Sequence, residues 1–205
     1  MSPVKRPSPL LFVVLGLLLE SPMHPYEMQR LLKERRKERV VAIDQRSSFY
    51  QAITRLERDG LIEVSEVVRE PARPERTVYA ITALGRTTFQ VWLRTMLSAP
   101  RDVFPEFPVA ISYLPLLEVE DALALLETRR DALKERLADT EKVLSEGKAV
   151  LPRLMLLEEE VQRAVVAAEL DWLSSLLDDI RGGELTWSAE LVAAEIARLS
   201  PPRTD

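Results

Sequence analysis

The chain has 205 residues, 46% of them hydrophobic and 30% charged, a balance that places it among globular proteins and excludes a disordered chain. It holds no cysteine, which excludes disulfides, thiolate nucleophiles and cysteine-ligated zinc and fits a reducing compartment. The net charge of −5 conceals an asymmetry: residues 1–99 carry 16 Lys+Arg and 11 Asp+Glu, a net of +5, which leaves 12 and 22, a net of −10, for residues 100–205. A basic half joined to an acidic half suggests a polyanion-binding module carried by a separate domain.

Residues 10–19, "LLFVVLGLLL", follow Lys5 and Arg6, but "ESPMHPYE" after them offers no small-residue cleavage site, and the run is too short to span a bilayer. It reads as a buried helix of a cytoplasmic protein, capped by Ser8, with Pro9 in its first turn and an end near Glu20. "SPMHP" breaks it. A second helix is predicted from about Pro25 to Arg39, with Tyr26, Met28 (or Gln29), Leu31 and Leu32 inward, and "VVAID" follows as a short extended link. Asp44 or Ser47 can cap a third helix, "SSFYQAITRLER", which Gly60 ends in a left-handed cap. On that helix Phe49, Ala52, Ile53 and Leu56 share one face, and Gln51, Thr54, Arg55 and Arg58 the opposite one.

After Gly60 the period changes to two. "LIEVSEVVRE" and "RTVYAIT" alternate around the proline-punctuated tip "PARPE", which predicts a β-hairpin. Thr82 then opens a helix whose apolar residues are Leu84, Phe89, Trp92, Leu93 and Met96. Pro100, Pro105, Pro108 and Pro115 mark a boundary, and the chain beyond them reads as helical. From Asp121 to about Glu146, Leu126, Leu133, Leu137, Thr140 and Leu144 approach a coiled-coil seam, which Thr140 weakens. A seam of this kind on an isolated helix leaves apolar surface for a second copy. Leu151 to Arg181 forms another long helix, with Leu154, Leu157, Val161, Ala164, Val165, Ala168, Trp172, Leu176 and Ile180 on one side; "GGE" ends it, and Trp187 to Leu199 is a further helix.

Three helices, a two-stranded hairpin and a fourth helix make the order of a winged helix-turn-helix. The fold class is therefore mainly α with a small β-hairpin: a winged helix-turn-helix over residues 1–99 and a helical dimerisation and effector domain over 100–205. In that arrangement the third helix enters the major groove of double-stranded DNA. Its Gln51 and Arg55 suit base edges, Ser47, Ser48, Tyr50, Thr54 and Arg58 complete the contact face, and Arg73 and Arg76 at the hairpin tip add charge that reads little sequence. Arg55 has a competing role, because Asp59 and Gln51 lie within reach of it on the same helix.

The segments "LGLLLESPMHPYEMQRLL", "SSFYQAITRLERDGLIE" and "RTVYAITALGR", in this order over roughly residues 10–98, resemble the PadR-like transcriptional regulators. The pattern of Tyr50, Arg55, Leu56, Glu57, Gly60 and Leu61 is intact, whereas Pro25, Phe49 and Gln51 stand where that family usually has glycine, leucine and proline. The resemblance implies a homodimeric, ligand-responsive repressor on an inverted-repeat operator, with dimer contacts from the C-terminal helices. An effector would shift the two recognition helices away from a spacing of one DNA turn. It also implies that an aromatic of the fourth helix, here Trp92, can stack a flat small molecule; read from the residues alone, Trp92 belongs in the core or a dimer interface. A second reading keeps the fold but binds protein instead of nucleic acid. Against an enzyme stand the single histidine, His24, read as a turn residue, and the lack of a phosphate loop. Glu158, Glu159 and Glu160 read as solvated surface, since adjacent helical residues do not converge on one metal ion. No cofactor, metal or membrane is implied.

Overall fold

The computed structural model describes residues 8–37, 41, 46–68 and 76–199, with the backbone alone at Arg46, Val68, Arg76, Ile196 and Leu199. The chain forms two units, which meet in sequence between Asp102 and Val103.

In the first unit, α1 (Pro9–Glu20) starts with the Ser8 hydroxyl accepting the Leu11 N–H, and Pro9 takes the first helical position. Leu11, Val14, Leu15, Leu17 and Leu18 are all buried, so the helix is enclosed on several sides, by α3, α4 and the hairpin. α2 (Pro25–Glu34) is capped by His24, whose Nδ1 accepts the Tyr26 N–H at 3.1 Å. It ends five residues before the expected Arg39, with Arg36 in a left-handed conformation at φ 54°. Met28 and Leu32 point inward as expected, but Tyr26 is 65% exposed, because at the first turn its side chain lies off the stripe that faces the core. A bidentate pair between Arg35 and Glu20 ties the ends of α1 and α2, and this contact holds the Glu20 carboxyl below its ordinary value.

α3 (Arg46–Arg58) buries Phe49, Ala52, Ile53 and Leu56. Ser47 lies inside its first turn and is therefore not the N-cap; Asp44 falls outside the described residues. Of the "VVAID" link only Val41 is described, and it is buried. The helix ends in a Schellman turn: Gly60 adopts φ 70°, its N–H reaches Glu57 O, and the Leu61 N–H reaches Leu56 O. β1 (Ile62–Val68) and β2 (Arg76–Ile81) pair antiparallel, with a bulge between Val64 and Glu66. Met23, in the break between α1 and α2, adds a bridge to Tyr79 through two backbone hydrogen bonds of 3.1 and 3.2 Å. The alternation of the strands carries no signal for that third edge.

α4 (Ala83–Ser98) is anchored by Thr82. The Thr82 hydroxyl accepts the Gly85 N–H at 3.0 Å and donates to Gly60 O at 2.8 Å, while the Thr82 N–H donates to Leu61 O at 3.1 Å. A Cβ at position 85 would lie 2.1 Å from Leu61 O, so only glycine lets α4 pass this close to the end of α3. Phe89 stacks on Phe12 at 4.5 Å, and Trp92 joins the core, whereas Leu84 and Met96 stand on the exposed side of α4.

The second unit begins with α5 (Glu106–Ser112), which the proline spacing does not announce; Pro108 is tolerated because it falls within the first turn. A 3-10 turn, Leu114–Leu116, leads to α6 (Val119–Lys148), and another, Arg153–Leu156, leads to α7 (Leu157–Gly182). Gly183 caps α7 at φ 76°, and α8 (Ala189–Leu199) follows Trp187, whose Nε1 donates to Leu117 O at 2.8 Å.

The α6 seam corrects one expectation. Leu126 and Leu133 are buried, with Leu137 packed beside them, against Val166, Leu173, Leu177 and Ile180 of α7, so this seam closes within the chain and is not free for a second copy. Thr140 fits because its hydroxyl donates to Arg136 O at 2.9 Å, leaving no donor unmade. The α7 stripe is corrected with it. Leu154, Leu157, Val161, Val165 and Trp172 are exposed; Leu176 is half-buried and Ile180 buried, and the helix turns Val166, Leu173 and Leu177 toward α6. Glu159 is buried with that stripe and is not solvated surface. No helix of the described residues is long and apolar enough to cross a membrane.

Gly85 gives the most direct test of this architecture. Gly85→Ala must push Leu61 and the strand behind it aside, and should cost about 1–3 kcal/mol or more, as core overpacking does. Urea unfolding checks it, with Gly16→Ala as control, since a Cβ there meets nothing closer than 3.5 Å.

Candidate nucleic-acid interface

The exposed side of α3 holds Ser47, Tyr50, Gln51, Thr54, Arg55 and Arg58 together, and Ser48 sits half-buried at its edge. The cause is simple helical periodicity: Phe49, Ala52, Ile53 and Leu56 take the core, and the polar residues between them are left outside. Tyr50 is 47% exposed, with its ring against the edge of Phe49 at 6.5 Å, so the core fixes the ring and leaves its outer part exposed. The Thr54 hydroxyl donates back to Tyr50 O at 3.1 Å, which leaves its oxygen lone pairs as acceptors. Gln51 carries both a donor and an acceptor on its amide.

The two arginines converge on one carboxylate. Arg58 donates from Nε at 3.0 Å and Nη2 at 2.9 Å to Asp59 Oδ1, and Arg55 Nε lies 3.7 Å from Asp59 Oδ2. The local Arg55 pairing was legible from the spacing; the Arg58 contact was not, because neighbours in sequence do not face each other on a regular helix. Asp59 is the last residue before Gly60, where the helix has ended and that rule lapses. An acid at a helix C-terminus is unfavourable to the macrodipole, and the pairing with two cations offsets that. All three side chains are well exposed, so the pairs are weak and exchange readily for phosphate oxygens.

The wing stands beside this face through the Gly60–Leu61 turn. Arg73 lies outside the described residues, and Arg76 opens β2 opposite Val68, with its side chain outside the description. Tyr79, on β2, has its phenol pushed above the ordinary value, first by burial and then by the Glu57 carboxylate of α3. Higher pKa means that it stays neutral across working pH. Trp92, the candidate ligand platform, is 8% exposed in the core of this unit. His24 is engaged in capping α2, and among the described residues no three carboxylate or imidazole side chains gather to hold a metal. What the exposed face offers is a set of hydrogen-bond donors and mobile positive charge of the kind that meets phosphates and base edges.

The model of the transcriptional regulator PadR-like family matches residues 14–91. PadR from Bacillus subtilis, solved in complex with operator DNA, is 21% identical, with a TM-score of 0.65 over 83% of this chain and 98% of that one. The same protein solved with p-coumaric acid is 21% identical, with a TM-score of 0.63 over 84% of this chain and 98% of that one. The virulence activator AphA of Vibrio cholerae is 19% identical, with a TM-score of 0.63 over 84% and 98%. At these identities the likeness is one of fold. No curated protein matches the sequence.

The Asp59 contacts make a testable statement about this face. Asp59→Asn frees Arg55 and Arg58 and removes a negative charge beside them. Affinity for random duplex DNA should rise several-fold, and the salt dependence should steepen by about one unit of slope for each additional phosphate that an arginine meets. Fluorescence anisotropy at several salt concentrations measures both; unchanged affinity and slope would mean that neither arginine meets a phosphate.

Proposed function

We propose, from the match of residues 14–91 to the PadR-like family model, that the protein is a cytoplasmic, ligand-responsive repressor acting as a homodimer on an inverted-repeat operator. The observation that carries the reading is the exposed face of α3, where Tyr50, Gln51, Thr54, Arg55 and Arg58 stand together beside the wing. Bacillus subtilis PadR, of the same fold, is solved with operator DNA and with p-coumaric acid, which supports a duplex and a small molecule as partners here. AphA shares the fold under the description of an activator, so the sign of regulation is a separate matter. Repression is the simpler outcome, because a protein covering a promoter excludes polymerase without any further contact surface.

The residues divide by chemistry. Gln51 and Arg55 lie toward the middle of the face and take base edges, where a good bidentate pair discriminates by about 1–3 kcal/mol. Ser47, Ser48, Tyr50, Thr54 and Arg58 flank them and take phosphates, which fix register. Arg73 and Arg76 add uniform electrostatic grip. Binding-site selection tests the division. Gln51→Ala and Arg55→Ala should each relax preference at particular base pairs, and Tyr50→Phe should weaken all sites evenly. If both alanine variants select the parent motif while the fold is unchanged, α3 does not read sequence. Absence of any salt-dependent retention on DNA would favour a protein-binding winged helix instead.

The dimer needs a surface other than the α6 seam. Leu157, Val161 and Val165 supply one, an exposed apolar row spaced four residues apart at the start of α7, with Leu154 exposed in the 3-10 turn before it. An inverted repeat requires two copies with their recognition helices one DNA turn apart, and a two-fold interface along α7 provides the symmetry. The parent protein should sediment at about twice the 23.3 kDa of one chain, and Val161→Glu with Val165→Glu should halve that mass while leaving the helical content unchanged. A monomeric parent protein, or a double variant that stays dimeric, would refute this surface.

A further inference from the structure

The second unit holds two neighbouring hollows that share Phe107, Ile111 and Arg129 as a common wall. The larger, of about 530 Å³, lies between α5, the Leu114–Leu116 turn and the start of α6, and its volume is in the range of small-molecule sites. Five leucines, with Ile111 and Ala110, make up most of its walls. Two of them, Leu116 and Leu125, are 67% and 60% exposed, so this concave surface offers apolar area that the core of the unit does not use. Arg129 is the one charged residue of these walls among the described residues.

Two contacts fix Arg129. Its guanidinium lies 3.6 Å from the centre of the Phe107 ring and covers one face of it. Its Nε donates to Glu169 Oε1 at 2.8 Å, and its Nη2 donates to the same oxygen. Among the described residues Nη1 has no protein hydrogen-bond partner, so two N–H donors remain to be met. Glu169 lines the smaller hollow, of about 390 Å³, and not the larger one. A molecule among the leucines therefore meets the arginine without lying against the carboxylate.

We propose that the larger hollow binds an aliphatic carboxylic acid, with its alkyl chain among the leucines and its carboxylate on Arg129. The chain condition follows from the walls. Branched aliphatic side chains make an irregular surface that a flexible chain can follow, whereas a rigid flat body needs a flat wall. Of the two aromatic walls, Phe107 has one face covered by the guanidinium and meets Trp172 edge to face, and Tyr113 is turned largely to solvent. The charge condition is short-range, because Arg129 and Glu169 together are neutral at a distance. A carboxylate accepts from Nη1 in a charge-assisted bond; a hydroxyl accepts in a bond of about half that strength, and an ammonium group cannot accept at all. A second copy brings no such acceptor by symmetry, since a two-fold contact centred on this hollow sets arginine against arginine.

As the effector site of a DNA-binding regulator the hollow rests on the function proposed above, but its occupancy does not, and the two are separable. The probe is decanoate, titrated calorimetrically into the full chain without DNA, beside decan-1-ol, decylammonium, hexanoate and 2-naphthoate. The expected result is saturable binding of one decanoate per chain, with decanol at least fivefold weaker and decylammonium at least tenfold weaker. Hexanoate should also be at least tenfold weaker, because each buried methylene adds to the affinity, and 2-naphthoate likewise for want of a flat wall. Leu125→Gln, on an exposed side chain, should weaken decanoate and decanol by the same factor, at least fivefold, with unchanged circular dichroism. Arg129→Gln should weaken decanoate at least tenfold and leave decanol within threefold of the parent, a split that a merely structural role would not give. A parent protein that prefers decanol, decylammonium or 2-naphthoate, equal binding of hexanoate and decanoate, or binding that does not saturate at one per chain would overturn the proposal. Equal losses of acid and alcohol in Arg129→Gln, or parent-like binding by Leu125→Gln, would do the same. So would a parent that binds no decanoate while Leu125→Gln sediments at half the parent's mass, since a second copy would then cover the hollow. Decanoate binding that leaves DNA retention unaltered would keep the site and reject only its regulatory role.

Discussion

The first unit depends on a single carbonyl, that of Leu61. It receives the Thr82 N–H, stands within reach of the Thr82 hydroxyl, and lies where a side chain at position 85 would have to be. Leu61 is also the residue that closes α3, through its own N–H to Leu56 O. One residue thus joins the end of α3, the base of the hairpin and the start of α4. The wing cannot swing relative to α3 without breaking these bonds, and a buried backbone group left unpaired is costly. On the function proposed above, rigidity at this point matters because reading base edges needs side chains placed to within hydrogen-bond tolerance.

The exposed face of α3 is built on the opposite principle. Its arginines are held by weak, exposed contacts to Asp59, which hold them in place in the free protein without binding them strongly. A core-fixed helix with loosely tethered cations suits a surface that meets a polyanion. The helix axis is set by Phe49, Ile53 and Leu56, and the charged tips keep the freedom to rearrange. Arg129 in the second unit shows the contrast, since ring stacking and Glu169 together hold its plane.

The second unit uses α7 on more than one side. Val166, Leu173, Leu177 and Ile180 pack on α6, while Leu157, Val161, Val165 and Trp172 remain outside. A helix needs only one apolar stripe to join a two-helix pair. The outer stripe is therefore surplus to the unit's own core, and its two ends differ: aliphatic residues near the start of α7, and Trp172 beside Phe107 farther along.

By itself the sequence determined what depends on neighbours along the chain. The order of helices and strands in the first unit, the Ser8 and Thr82 caps, the left-handed Gly60 and the polar face of α3 all follow from backbone geometry and from periods of 3.6 and two residues. The PadR-like motifs were legible for the same reason, being runs of contiguous residues. The tertiary structure decided which stripe of a long helix meets a partner. α6 and α7 each offer apolar residues at several angles, and only their mutual register placed Leu126 and Leu133 against α7 and left Val161 and Val165 outside. It also decided the contacts between distant residues: Met23 with Tyr79, Trp187 with Leu117, and Phe107 with Arg129 and Glu169, the last pair 40 residues apart. Such pairs have no period to reveal them, because they exist only once the packing of whole helices has brought their backbones together.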